Sequence, residues 1–292
     1  MKLTYIRWSM TIIETEGLTI VTDPVFRVLG LHQAPRSYTL DRMPLPDLVF
    51  VSHTHVDHFE PGVLKRLSPG TPVWLPSGKE EKAASLGLQG LRAVEPWYSD
   101  EFRGVRLTAV PGKHPGGELG LVVEGDRTVY FAGDTSLDRD LFRTIGHRWK
   151  LDAVLLPIGD LRTLGVSMGQ MGPRRAPQAL RLLGEPRVVV PTHYSGMTLR
   201  PFLSFGGTPR KLGEEIHRAE LGAIVGTTRP LEDITLEQVE YLANLDEEVS
   251  REEQNQIQTL KTQVARVKSL NLTTDSAASD MPLNIPPAYW LD

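Results

Sequence analysis

The chain has 292 residues, 40% of them hydrophobic and 23% charged, with a net charge of −4; that is enough apolar mass for one large domain plus an appendage, and the charge argues against a nucleic-acid-binding surface. It contains no cysteine, which excludes disulfides and thiolate metal ligands and leaves any metal to His and Asp. No run of about twenty apolar residues offers a membrane span, and Met1-Lys-Leu-Thr-Tyr-Ile-Arg-Trp8 lacks the apolar core of a signal peptide, so a cytoplasmic protein is expected.

Apolar, strand-like runs recur at 18–23, 47–53, 72–76, 105–110, 119–124, 128–132, 153–158 and 187–191. Between them the pattern predicts helices over 61–68, 78–87 and 173–183, the first and third with Pro at or near the start, where a helix tolerates it. Strands and helices in this order suit two packed sheets with helices outside, although periodicity alone does not separate this from another α/β layering. From residue 229 the composition turns polar and rich in Glu and Gln. Val239, Leu242, Leu245 and Val249, then Ile257, Leu260, Val264 and Val267, follow three-and-four spacing, one apolar stripe per helix. A helical hairpin over 229–270 is therefore expected, with Asp233 or Thr235 capping its first helix and Ser250, with Glu253, its second. Its stripe would pack on the preceding domain, on a second copy to make a homo-oligomer, or on a separate partner. Residues 271–292, with three Pro, read as an extended or disordered tail.

The most chemically informative stretch is His53-Thr54-His55-Val56-Asp57-His58, directly after the apolar run Asp47-Leu-Val-Phe-Val-Ser52. Neutral imidazoles and carboxylates are what zinc accepts, and also manganese or iron. On a strand leading into a turn, His53 and His55 would point the same way, while Asp57 and His58 would fall on the turn and aim at a second point. One loop can then feed two metals.

His-x-His-x-Asp-His resembles the signature of the metallo-β-lactamase superfamily. In that family a later His at a strand end, an Asp in a Gly-Asp turn and a last His complete the site. The matching positions are His114 in Val110-Pro-Gly-Lys-His114, Asp134 in Tyr130-Phe-Ala-Gly-Asp-Thr-Ser136 and His193 in Val188-Val-Val-Pro-Thr-His-Tyr194. Singly, each would more commonly be a surface His or a turn-forming Asp. The flanks Leu18-Thr-Ile-Val-Thr-Asp-Pro-Val-Phe26, Leu155-Leu-Pro-Ile-Gly159 and Met171-Gly-Pro173 look like the branch holding N-acyl-phosphatidylethanolamine-hydrolysing phospholipase D and ascorbate-6-phosphate lactonase.

The resemblance covers residues 1–228 and implies an α/β, four-layer αβ/βα sandwich, to which the C-terminal helices are an appendage. It implies that His53, His55 and His114 hold one divalent ion, zinc or else manganese or iron, that Asp57, His58 and His193 hold a second, and that Asp134 bridges the two. A metal-bridging hydroxide would then attack a small-molecule or lipid-like phosphodiester or lactone/ester, with Asp57 orienting it or taking its proton. A hydrolase of another bond, amide or thioester, and a non-enzymatic metal-binding scaffold whose C-terminal helices recruit a partner are the alternatives. Asp23 would support a ligating His or cap a turn. Arg174, Arg175 and Lys113 would engage a phosphate or carboxylate or lie solvated, and Tyr194 would donate to an oxyanion or to a structural bond. His32, His147 and His217 match no ligand position.

Overall fold

The computed structural model describes residues 1–239, apart from 30, 33, 68, 69, 168, 169, 195–201 and 228, together with residue 258. Leu48-Val49-Phe50 shows why the domain needs four layers. Side chains alternate across a strand, so Leu48 and Phe50 enter a core between two sheets while Val49 enters a second core on the outer face. An all-apolar strand of this kind must be covered on both sides.

The first seven-stranded sheet has the order Glu232–Thr235, Lys2–Arg7, Met10–Thr15, Leu18–Thr22, Leu48–Phe50, Val73–Pro76, Leu91–Val94. The second has the order Ile224–Val225, Val188–Thr192, Ala153–Pro157, Thr128–Phe131, Glu118–Glu124, Val105–Gly112, Ser99–Phe102. Phe50 and Phe131 meet edge to face across the central core, with centroids 6.2 Å apart. Helices α1 (Pro61–Leu67) and α2 (Glu80–Ser85) cover the outer face of the first sheet through Val63, Leu64, Leu67 and Ala83. Helices α3 (Arg139–Arg148), α4 (Ala176–Leu182) and α5 (Pro209–Arg218) cover the second through Phe142, Ile145, Leu180, Leu212 and Ile216. This is the expected αβ/βα sandwich.

The topology also places the site. Strands 18–22, 48–50, 73–76 and 91–94 are mutually parallel, as are 128–131, 153–157, 188–192 and 224–225. Parallel strands deliver their carboxyl ends to one edge, where loops can build a site.

The domain was expected to end at residue 228, but its compact unit runs from Met1 to Val239. Glu232–Thr235, read from sequence as the approach to a helix, pairs antiparallel with Lys2–Tyr5. Helical residues 236–239 follow, and Leu236 and Val239 join the central core. The rest of the predicted hairpin apart from residue 258, including Ser250 and Glu253, and the tail at 271–292 lie outside the described residues.

Candidate metal centre

The signature residues do not lie on a strand. The strand stops at Phe50, and residues 51–60 form a loop in which His58 N and Phe59 N both donate to the carbonyl of His55, at 3.0 and 2.9 Å. His53 and His55 still converge, His53 Nε2 lying 3.0 Å from His55 Nδ1. His114 arrives just beyond Val105–Gly112 and sets its Nε2 3.2 Å from the same atom. These three imidazoles are one cluster; Asp57, His58, Asp134 and His193 are another, and within each the ligand atoms all lie within 4.8 Å of one another. Asp134 Oδ2 lies 3.1 Å from His193 Nε2 and 3.4 Å from His58 Nε2. Asp57 Oδ2 lies 3.2 Å from His193 Nε2. The clusters adjoin, with the His53 and His58 ring centroids 4.0 Å apart. All seven predicted side chains thus come together.

The donor set fits divalent ions. His58 Nε2 and Asp134 Oδ1 are buried and have no hydrogen-bond partner, which costs about 1–3 kcal/mol for each such atom unless a cation satisfies it. Charge points the same way. Burial and the neighbouring imidazoles of His58, His114 and His55 hold His53 far below its ordinary pKa, and burial lowers His114 too, leaving both in the neutral form that ligates. Burial would raise Asp57, but the His58 and His193 imidazoles outweigh it and keep the carboxylate ionised. Asp134 is likewise held down, against its burial, by His193 and His58.

The family model described as the β-lactamase superfamily domain matches residues 19–194. The chain belongs to this superfamily. A UPF0173 metal-dependent hydrolase from Methanopyrus kandleri is 31% identical over 211 residues, covering 66% of this chain and 84% of the relative. One from Thermus thermophilus is 34% identical over 198 residues, covering 61% and 80%. Igni18, a metallo hydrolase from Ignicoccus hospitalis, superposes with a TM-score of 0.65 at 25% identity, covering 80% of this chain and 97% of its own. An isothiocyanate hydrolase from Delia radicum gut bacteria shares the fold, with a TM-score of 0.67 at 19% identity, 80% and 98% being covered. The protein is a metal-dependent hydrolase of the metallo-β-lactamase fold.

In this superfamily member a second layer of residues aims the clustered side chains. Asp23, fully buried, accepts from His58 Nδ1 at 2.7 Å and from Ser52 Oγ and Ser52 N at 2.7 Å each. That bond puts the His58 proton on Nδ1 and turns the lone pair of Nε2 inward. Of the two roles open to it from sequence, Asp23 has the supporting one. Ser136 N donates to the Lys113 carbonyl and Lys113 N to Thr135 Oγ1, joining the His114 and Asp134 loops at 3.0 and 2.7 Å. His193 takes a left-handed backbone (φ +53), and its N–H donates to the carbonyl of Trp8 at 2.7 Å, the Trp8 ring standing edge-on to the imidazole.

Sequence reasoning missed Glu118. Its Oε1 accepts from Asp134 N and lies 3.5 Å from His53 Nδ1, so one buried carboxyl touches both clusters. Burial and the charge of Asp134 push its pKa well up. Two motif glycines exist for it: a Cβ at Gly133 would stand 2.5 Å from Oε1, and one at Gly112 would stand 2.6 Å from Oε2. The available signal was a carboxylate opening the strand Glu118–Glu124 ahead of the run Leu-Gly-Leu-Val-Val, four residues after His114. Of the other candidates, Lys113 turns toward Asp138, 3.9 Å away, Tyr194 stacks on Tyr5, and Arg174 and Arg175 line a separate cleft.

Proposed function

We propose that the two clusters form one dinuclear centre, in which His53, His55 and His114 hold one ion, Asp57, His58 and His193 hold the second, and Asp134 is shared. Zinc suits the donors best, with manganese or iron as alternatives. The observation that carries this reading is the adjacency of two donor clusters, one of which holds Asp134 with its Oδ1 buried and unpartnered. Two ions bound there would supply Lewis acidity and lower the pKa of a water from about 15.7 to about 7.

The chain's own groups do the rest. Asp57, half-buried and ionised beside His193, orients the attacking water and accepts its proton. Asp23 keeps the His58 tautomer fixed, and Glu118 holds the Asp134 backbone and the outer side of the His53 ring. No Ser or Cys nucleophile is required. We take the substrate to be a phosphodiester or a lactone/ester, with the phosphodiester ahead because of the flanks Thr22-Asp-Pro-Val-Phe26 and Pro157-Ile-Gly159. A lipid-like substrate is supported by the small sheet formed by Val166–Ser167, Leu161–Thr163 and Leu203–Phe205. It is rooted where Phe205 meets His193, centroids 5.8 Å apart, and it exposes Leu164 and Val166, with Phe202 exposed beside it.

Hydrolysis of bis(p-nitrophenyl) phosphate and of a simple lactone by zinc-loaded wild type and Asp134→Ala tests the reading. Phosphodiester cleavage lost in the variant supports it, and lactone cleavage alone moves the substrate to that class. No activity on either compound in any metal form contradicts it.

A further inference from the structure

Lined by none of the clustered side chains, an open cleft of about 860 Å³ lies between Asp160 with the strands Leu161–Thr163 and Val166–Ser167, the residues just before α4, and the helix α5. Its volume is that of a small-molecule site. Arg162, Arg174, Arg175, Lys211 and Arg218 line it, against Asp160, Glu214 and Glu215. Five cations against three anions leave a local excess of two positive charges on a chain whose net charge is −4.

The three anions are already engaged. Asp160 Oδ2 accepts from Arg162 Nε and Nη2 at 2.9 and 2.6 Å, and its Oδ1 accepts from Ser167 at 2.6 Å. Glu215 pairs with Arg218 at 2.6 Å, and Glu214 with Arg210, outside the cleft, at 3.0 Å. Three of the cations keep capacity for a ligand. Lys211 Nζ donates to the neutral carbonyl of Gly206 at 2.7 Å and so retains its charge. Arg174 is exposed and makes no ion pair among the described residues, and Arg162 Nη1 is left over from the Asp160 pair.

The floor is built to leave this space. A Cβ at Gly206 would stand 2.6 Å from both Arg162 Nε and Asp160 Oδ2, and one at Gly172 would stand 2.8 Å from the Asp160 side chain. Gly206 and Gly207 in turn donate to the carbonyl of Gly159 at 3.0 Å each. Gly159 packs so tightly on the carbonyl of His193 that a Cβ would lie 2.3 Å from it, so cleft and metal ligand share one layer of backbone.

We infer that this cleft binds a phosphate or pyrophosphate group of a small molecule, at a site separate from the metal centre. Guanidinium groups suit such oxyanions through paired, charge-assisted bonds. The group belongs either to the remote end of the substrate or to a separate phosphorylated effector.

The test is calorimetric titration of pyrophosphate into zinc-loaded wild type, Arg174→Glu, Lys211→Gln and Asp134→Ala, with thermal melts to show that each is folded. Affinity should fall roughly tenfold or more in Arg174→Glu and severalfold in Lys211→Gln, weaken with added salt, and persist in Asp134→Ala. No binding to wild type, equal affinity in Arg174→Glu, or loss confined to Asp134→Ala would overturn the proposal; the last would assign the anion to the metals. The hydrolase reading is untouched by any of these results. Pyrophosphate that competes only against a phosphorylated ester marks the substrate's end, whereas pyrophosphate that alters p-nitrophenyl acetate hydrolysis marks an effector.

Discussion

His53, His55 and His114 form a cluster of imidazoles alone, open to solvent at His55, whereas Asp57, His58, Asp134 and His193 combine two carboxylates with two imidazoles and are buried at three of four positions. Both are assembled from loops at the same edge of the sandwich, yet their electrostatics differ. In the first, burial and like neighbours keep His53 and His114 neutral, so an ion there would bring a double charge that the cluster's own side chains do not offset. In the second, two ionised carboxylates balance most of that charge. On the proposed dinuclear reading, charge and burial would make the second cluster the tighter site and the first the exchangeable one.

Asp134 is where the comparison breaks, because the account shares it between the two sites. Asp134→Ala should lower hydrolysis at least about a hundredfold and weaken both ions together, as read by steady-state kinetics beside metal analysis. Separating the sites needs a smaller change. Asp23→Asn, which meets His58 directly and reaches His53 only through Ser52 Oγ, 3.0 Å from its Nδ1, should weaken the second cluster about 10–100-fold and the first much less, while His55→Ala should empty the first alone; zinc titration against a competing chelator resolves the two.

Acidity sharpens the contrast further. Burial would lower the His58 pKa, but Asp134, Asp23 and Asp57 raise it well above 6.5. A proton there stabilises the metal-free protein below about pH 6.5, and that contribution is lost as pH rises through the raised value. Metal must displace this proton, so zinc affinity at the second cluster should climb by up to about tenfold per pH unit above 6.5. At the first cluster, where His53 and His114 are pulled below 6.5, affinity should stay flat over the same range. Titrations at pH 6.5, 7.5 and 8.5 check the slopes. The smallest effect is expected at Glu118: its raised pKa keeps the carboxyl neutral, so the near-isosteric Glu118→Gln should shift zinc affinity no more than about threefold, and Glu118→Ala, which leaves an unfilled space, should shift it more.

What could be read from the sequence, and what could not, follows the same physics. The inner strands were legible because runs such as Val73–Pro76 and Ala153–Pro157 are buried at every position. The peripheral elements were not. Ser99–Phe102 is polar except for Phe102 and exists largely through its pairing with Val105–Thr108. Lys2–Arg7 and Met10–Thr15 mix charges and hydroxyls with core residues, and Arg139–Arg148 and Pro209–Arg218 each bury only two or three side chains. Glu232–Thr235 has the composition of a helix start and became a strand because Lys2–Tyr5 offered an open edge. In the site, the seven side chains that cluster were legible because His and Asp at this spacing, in this order, match a known pattern. Glu118, Ser52 and Trp8 act through geometry that only the folded chain creates, their partners lying at Asp134, Asp23 and His193.

Metal stoichiometry after zinc loading and removal of excess ion tests the dinuclear centre most directly. Two zinc ions per chain in wild type, one in His55→Ala and none retained in Asp134→Ala is the predicted result. A single ion in wild type, or two retained in Asp134→Ala, would contradict it.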